Sequence, residues 1–255
     1  MKNEEILEIA MHQSAIDSNC SRNDFMRSEN KVVLSAQNAN ARRYLKLPFS
    51  CDLTSYGNNV VASVSEELKE IVKEYIEKYG APHCFETPNL HILMEKLKPF
   101  DCNVCFMAEY FLPDMNSLNS ISCGYETKVM NPDEFSAYYL SNWSNALSER
   151  NKERDKLAVG AFHKGRLIGL AACSADCDTM WQIGIDVLPE YRNQGIGASL
   201  TSKLAIQILE RDIVPFYCCA WSNIKSVRNA IKSGFRPAWV QVTVKENGFI
   251  AGMNR

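Results

Sequence analysis

Apolar residues along the chain follow two periods, and each change of period marks an element. Residues 4–19 carry Ile6, Leu7, Ile9 and Ala10 at helical spacing; a second short helix is expected near Phe25, and 32–35 is a strand candidate. Residues 51–55 and 60–64 flank Tyr56-Gly57-Asn58-Asn59, a hairpin signal. Over 66–79, Leu68, Ile71, Val72, Tyr75 and Ile76 share one helical face, closed by Gly80 and Pro82. A short strand over 83–86, a helix over 89–97 and a long strand over 103–112 follow, and Pro113-Asp114 opens a linker rich in Asn and Ser.

From Ile121 the pattern starts again. A strand ends near Met130, and Asn131-Pro132-Asp133 leads into a helix expected to reach Ser148. Residues 157–162 and 167–174 form a hairpin around Lys164-Gly165. Ile183, Ile185 and Val187 alternate along a half-buried strand over 181–187; a helix over 198–211 carries Leu200, Leu204, Ile206, Ile208 and Leu209. A strand over 216–221, a helix through Ile231 and a last strand over 239–244 complete the reading.

The pattern predicts an α/β chain with a mixed sheet. Its halves read as one plan used twice, over 51–112 and 157–244: hairpin, strand, helix, strand, helix, strand. Cys84-Phe85-Glu86-Thr87-Pro88-Asn89 takes the place that Cys218-Cys219-Ala220-Trp221-Ser222-Asn223 takes later. Two domains are expected, 1–118 and 119–255, the first a packing or cover domain; an unrelated α/β domain is the alternative.

The halves differ at one join. Pro189 ends the strand ladder, and Arg192-Asn193-Gln194-Gly195-Ile196-Gly197 leads into the next helix. Its glycines permit positive φ and bring bare backbone close to a ligand. Strand, glycine loop and helix N-terminus together gather free N–H groups and the positive end of a dipole, an anion site suited to phosphate. In the first half Val64 passes directly to Ser65-Glu66, with no such loop.

The loop lacks the Lys-Ser/Thr ending of a P-loop and the glycine spacing of a dinucleotide fingerprint. It resembles the acyl-CoA loop of the GNAT superfamily of N-acetyltransferases, Arg/Gln-x-x-Gly-x-Gly/Ala, with Arg192, Gly195 and Gly197 on the motif. The lead-in Asp186-Val187-Leu188-Pro189-Glu190-Tyr191 is similar to the family's, and Asn223, Ser226 and Gly234-Phe235 match its downstream Asn-x-x-Ala/Ser…Gly-Phe segment. The resemblance covers about half of the second domain. It implies a GNAT fold in which the strands over 181–187 and 216–221 splay apart, preceded by a smaller, degenerate GNAT-like domain.

It further implies transfer of an acetyl group from acetyl-CoA to an amine by direct attack. Backbone of Asp186, Val187 and Leu188 would pair with pantetheine. The pyrophosphate would rest on Arg192, Asn193, Gln194, Gly195, Ile196, Gly197 and Ala198, while Asn223 and Ser226 would hold pantetheine or cap their helix. The family's usual acid, a Tyr seven residues after Asn223, is Ala230 here. Tyr217 is the substitute candidate for the acid. Asp186 is the first candidate for the base, followed by Asp176 and Asp178. A non-catalytic acyl-CoA-binding or sensing protein is the alternative reading.

Composition narrows the partners. The 255 residues carry a net charge of −2 with both signs interspersed, so no basic stripe for nucleic acid is present. No apolar run has membrane-spanning length, and Met1-Lys2-Asn3-Glu4-Glu5 lacks a signal peptide's plan. Ten cysteines are too sparse for a disulfide scaffold, and Cys173, Cys218 and Cys219 lie in apolar strands. Cys102 and Cys105 have CxxC spacing, Cys173 and Cys177 lie four apart, and His12, His83, His91 and His163 are scattered, so no metal is expected. A cytoplasmic protein with reduced thiols, monomeric or dimeric, is the resulting expectation.

Overall fold

The computed structural model describes residues 1–254. In chain order its elements are α1 (Asn3–Ser18), β1 (Lys31–Leu34), β2 (Cys51–Ser55), β3 (Val61–Val64), α2 (Lys69–Lys78), α3 (Thr87–Leu97), β4 (Cys102–Pro113), β5 (Glu126–Met130), α4 (Pro132–Phe135), β6 (Asp155–His163), β7 (Arg166–Ser174), β8 (Met180–Val187), α5 (Ile196–Leu209), β9 (Val214–Ala220), α6 (Ile224–Lys232), β10 (Phe235–Glu246) and α7 (Asn247–Met253). The architecture is mixed α/β. Two compact units form, and both are discontinuous in sequence: Met1–Ile9 with Phe111–Pro237, and Ala10–Tyr110 with the chain from Ala238 onward.

In the first of these units the strands run in the order β9-β8-β7-β6-β5, antiparallel except for the parallel pair β8/β9. The β6–β7 turn is two residues long because Lys164 and Gly165 both adopt positive φ, 50° and 79°, which matches the twist of a hairpin. α5 lays Leu200, Leu204 and Ile208, all fully buried, on the face of the sheet that carries Ala161, Ala171, Cys173 and Ile183. Each such burial contributes about 1.5–3 kcal/mol. Gly169 on β7 makes room for the start of this helix, since a Cβ there would lie 2.8 Å from Cγ2 of Ile196. The Asn- and Ser-rich stretch after β4 is tied down inside the same unit, with Asp114 N–H donating to the Gly234 carbonyl at 2.9 Å.

In the other unit the order is β1-β3-β2-β10-β4. The last strand belongs here from Ala238 onward: β10 runs antiparallel to β2, with Val240 opposite Ser55 and Val244 opposite Cys51. Alternation explains the fit. Val242 and Val244 enter a core with Leu53, Val64, Leu68, Val72 and Leu93. The intervening Gln241 and Thr243 meet buried Asp52, whose carboxylate accepts from Gln241 Nε2 at 2.9 and 3.0 Å and from Thr243 Oγ1 at 2.6 Å. Burial raises the Asp52 carboxyl to about 6, and the hydrogen bonds from Thr243, Gln241 and Thr54 pull the other way.

Two expected elements change form. Residues 83–86 are no strand; His83–Phe85 is a 3-10 turn. Its backbone is satisfied locally, because Tyr75 Oη donates to the Cys84 carbonyl at 2.8 Å and Cys84 N–H donates to the Gly80 carbonyl at 3.1 Å. The plan of the second half is therefore not repeated element for element, and the parallel neighbour of β3 is β1, which precedes the hairpin. The long helix expected from Asp133 to Ser148 breaks after Phe135 into 3-10 turns at Ser136–Tyr138 and Ser141–Trp143. Ser136, Ser141, Asn142, Ser144 and Asn145 weaken helix continuity here by competing for backbone hydrogen bonds.

All ten cysteines are free thiols, and burial pushes Cys173 up to about 12. Among the described residues, no group of three or more His, Cys, Asp or Glu is placed to hold a metal, and no helix is long and apolar enough to cross a membrane.

Candidate functional site

The parallel ladder between β8 and β9 is much shorter than either strand. It pairs Met180 with Val214, Trp181 with Pro215 and Gln182 with Phe216, and there it stops. β8 continues for five residues and β9 for four, while the other edge of β8 stays paired to β7 from Gln182 to Val187. Strand alternation decides which groups face the gap. Val214 N–H donates to the Thr179 carbonyl on the β9 side, and Leu188 N–H donates to the Ile168 carbonyl on the β7 side. The odd-numbered backbone groups of Ile183, Ile185 and Val187 thus face the slot. Of the three residues expected to pair with pantetheine, Val187 faces the slot; Asp186 and Leu188 face β7.

The glycine loop closes the top of the slot. Pro189–Tyr191 forms one 3-10 turn, Asn193 and Gly195 take positive φ of 62° and 79°, and Gly195 is the N-cap of α5. No side chain caps this helix, and its first turn holds no acid. The N–H groups of Ile196, Gly197 and Ala198 precede the first Ser199 N–H to Gly195 carbonyl bond, so they are the donors an anion would meet. The Ile196 and Ala198 side chains are buried and contribute backbone alone. Gly195 faces open space, whereas a Cβ at Gly197 would lie 2.7 Å from Asn229 Oδ1. Arg192, exposed, donates from Nε to the Val187 carbonyl at 3.0 Å, and Gln194 accepts from Tyr125 Oη at 2.7 Å.

On the β9 side, Asn223 caps α6 by accepting from Ser226 N–H at 3.2 Å. The Ser226 hydroxyl meets Tyr217 Oη at 2.7 Å. Tyr217 is 3 % exposed, and burial raises its phenol above the ordinary value while the Ser226 contact opposes the shift. Ala230 is fully buried among core residues.

Asp186 has both carboxylate oxygens engaged. Oδ2 accepts from the N–H groups of Asn145 at 2.9 Å and Ala146 at 3.0 Å, and Oδ1 accepts from Asn145 Nδ2 at 2.7 Å. Asp176 is buried and accepts from Ser174 Oγ at 3.3 Å; it and exposed Asp178 precede β8, a strand's length from the loop. Sequence reasoning missed Asn145, Gly184 and Tyr125. Gly184 did carry a signal, because an isolated glycine within an apolar strand marks a close backbone approach.

The model of the acetyltransferase (GNAT) family matches residues 120–235. These residues are a GNAT acetyltransferase domain. The match spans β5 through the beginning of β10 and so includes the slot, the loop and α6. No curated protein matches the chain. Solved structures similar to it include a GNAT-family acetyltransferase from Colwellia psychrerythraea, 16 % identical, TM-score 0.46, covering 72 % of this chain and 76 % of that one. A GCN5-related N-acetyltransferase from Sphaerobacter thermophilus is 13 % identical, with TM-score 0.49 and coverage of 74 % and 72 %. A GCN5-related N-acetyltransferase-like protein from Streptococcus suis is 17 % identical, with TM-score 0.44, and covers 61 % of this chain and 66 % of that chain.

Proposed function

We propose that the chain is an acetyl-CoA-dependent N-acetyltransferase acting on an amine in a reducing, cytoplasmic compartment. One observation carries the reading: within the GNAT domain, an unpaired strand edge ends at an uncapped helix N-terminus free of acidic side chains. The slot-facing backbone of Ile185 and Val187 offers pairing for the pantetheine amides. The N–H groups from Gly195 to Ala198 suit the pyrophosphate, and Arg192 adds a permanent positive charge beside them.

Acetyl-CoA, when bound, supplies an acetyl thioester to an attacking amine: the N–C bond forms as the C–S bond breaks. An amine of pKa near 10.4 spends about 4–5 kcal/mol on deprotonation at pH 7, so proton removal is a large part of the barrier. Val187 N–H, on the slot side, is the donor for the developing oxyanion. Tyr217 remains the acid candidate, through its hydrogen bond with Ser226. A CoA thiol, with acidity near that of cysteine at about 8.5, leaves with modest help.

A second reading, a non-catalytic acyl-CoA-binding protein, is favoured by buried Ala230 at the usual acid position and by the saturated carboxylate of Asp186. The test has two stages. Acetyl-CoA at a hundred times its dissociation constant should stabilise the protein by about 2.7 kcal/mol, read as a shift in Tm. Thiol release with a panel of primary amines then separates the readings: transfer supports the enzyme, and binding without transfer supports the sensor. No shift up to millimolar acetyl-CoA would overturn both.

A further inference from the structure

The segment that breaks the expected helix is pinned at both ends by carboxylates from the sheet. At its two ends, Tyr139 Oη at 3.1 Å and Ser148 N–H at 2.9 Å both donate to Oδ2 of Asp155 at the start of β6. Towards its middle, Asp186 on β8 takes both donors of Asn145 and the N–H of Ala146. Trp143, Ala146 and Leu147 are buried beside these contacts, while Asn145 stays exposed. Gly184, two residues before Asp186 and therefore on the same face of β8, supplies the clearance: a Cβ there would collide with the Asn145 carbonyl oxygen. A missing side chain and a saturated carboxylate at i and i+2 thus describe one crossing of backbone over strand.

This face lies beside the point where the β8/β9 ladder ends. Gln182 is on it, and its Nε2 reaches Cys218 Sγ of β9 at 3.1 Å across the last rung. The opposite face of β8, with Ile183, belongs to the same core as Leu200 and Leu204 of α5, which leaves the Gln182–Gly184–Asp186 side, bordered by the 139–148 segment, for an acceptor to approach an acyl group in the slot. We propose that Asp186 is a positioning residue: it staples the 139–148 segment across β8 and so fixes the wall against which the acceptor amine is held, and it takes no proton from that amine. The inference rests on the acetyltransferase reading for its functional half; the staple itself stands on the contacts above.

A positioning role and a base role differ in what asparagine can do. An amide oxygen in place of Oδ2 still accepts both backbone N–H groups, and a flip of the Asn145 side-chain amide restores the third contact. An amide cannot accept the amine's proton. The experiment therefore compares full-length wild type, Asp186→Asn and Asp186→Ala. Hydrogen exchange is read on the peptide covering 139–148, acetyl-CoA affinity by titration, and kinetics with the best amine of a panel comprising a polyamine, an amino sugar and a lysine-containing peptide.

For Asp186→Ala we expect exchange of the 139–148 peptide to rise at least tenfold while α5 and the β6–β7 hairpin exchange as in wild type. Acetyl-CoA affinity should change less than threefold and KM for the amine should rise about tenfold. Asp186→Asn should return both exchange and KM to within about threefold of wild type, with an unaltered pH–rate profile. Unchanged exchange in Asp186→Ala overturns the staple. Equal loss of kcat in both variants, with disappearance of one limb of the pH profile, overturns the positioning role in favour of a base. If wild type binds no acetyl-CoA, the acetyltransferase reading fails, and the exchange data still decide whether Asp186 holds the segment.

Discussion

Two places in the molecule carry the same local parts, a strand with a parallel neighbour followed by a helix, and they are built to opposite effect. β3 pairs with β1 along its whole length, from Val61 opposite Lys31 to Val64 opposite Leu34, so that edge has no room for an added chain. The chain then enters a 3-10 turn at Glu66–Leu68 and α2, with Glu66, Glu67 and Glu70 around the helix start. β8 leaves β9 after three rungs, and α5 starts at a left-handed glycine with no acid in its first turn and Arg192 close by. Every helix N-terminus has open N–H groups and a positive dipole end. What turns one into an anion site is the absence of a carboxylate already there, together with backbone free enough to approach the ligand. The first junction spends its dipole on its own glutamates; the second keeps it available.

The sharpest way to break this contrast is to give the second junction the charge of the first. Gly195→Asp places a carboxylate at the N-cap of α5 and forces a φ of 79° on a residue with a Cβ. It should abolish the acetyl-CoA-dependent stabilisation of about 2.7 kcal/mol and cost roughly 1–3 kcal/mol in strain, both read from Tm with and without ligand. A full shift retained in this variant would show that the loop binds no phosphate.

Each unit also buries one acid whose charge is unwelcome: burial raises Asp155 to about 6 in the unit with the slot and Asp52 to about 6 in the other. Both pKa values lie above the unfolded carboxylate's, so the folded state holds a proton that the unfolded state has lost. Their favourable contribution is present below about pH 4 and fades as pH rises to about 6, by up to about 3 kcal/mol each. Asp155→Asn keeps an oxygen for Tyr139 and Ser148, and it should flatten that decline in urea titrations between pH 4 and 7. A slope identical to wild type would mean that Asp155 titrates normally.

Smaller effects follow at the loop. Arg192→Ala should weaken acetyl-CoA binding about tenfold, near 1.4 kcal/mol, with a reduced salt dependence, since it removes one charge and leaves the backbone donors. At the first junction, Glu66→Gln with Glu67→Gln should cost about 0.3–1 kcal/mol of stability per site and create no acetyl-CoA binding, because the β1–β3 ladder stays closed. Binding gained by that double variant would mean that charge alone separates the junctions.

Much of the candidate site's local geometry was legible in residue order because it depends on near neighbours. Arg192, Gly195 and Gly197, the positive φ of the loop, the cap at Asn223, the Lys164-Gly165 turn and the buried stripe of α5 all follow from spacing, chirality and amphipathicity. The helix expected to Ser148 failed for a reason spacing does not contain. The N–H groups of Asn145, Ala146 and Ser148 go to Asp186 and Asp155, distant carboxylates that compensate for the broken helix. Asp186 is the first base candidate from its position in an apolar strand; that its oxygens accept from Asn145 and Ala146 could not be read from that position.

Residue order by itself therefore determined the mixed α/β class, the hairpins, the strand–glycine loop–helix junction and the family resemblance. These rest on periodicity and on which residues tolerate a left-handed φ. Tertiary structure decided where β10 goes, how early β8 and β9 part, and what Asp186 holds. Those outcomes turn on which partner satisfies a backbone edge or a buried carboxylate. Gln241 and Thr243 meet Asp52 across about 190 residues of chain, a separation over which no local pattern can name the partner.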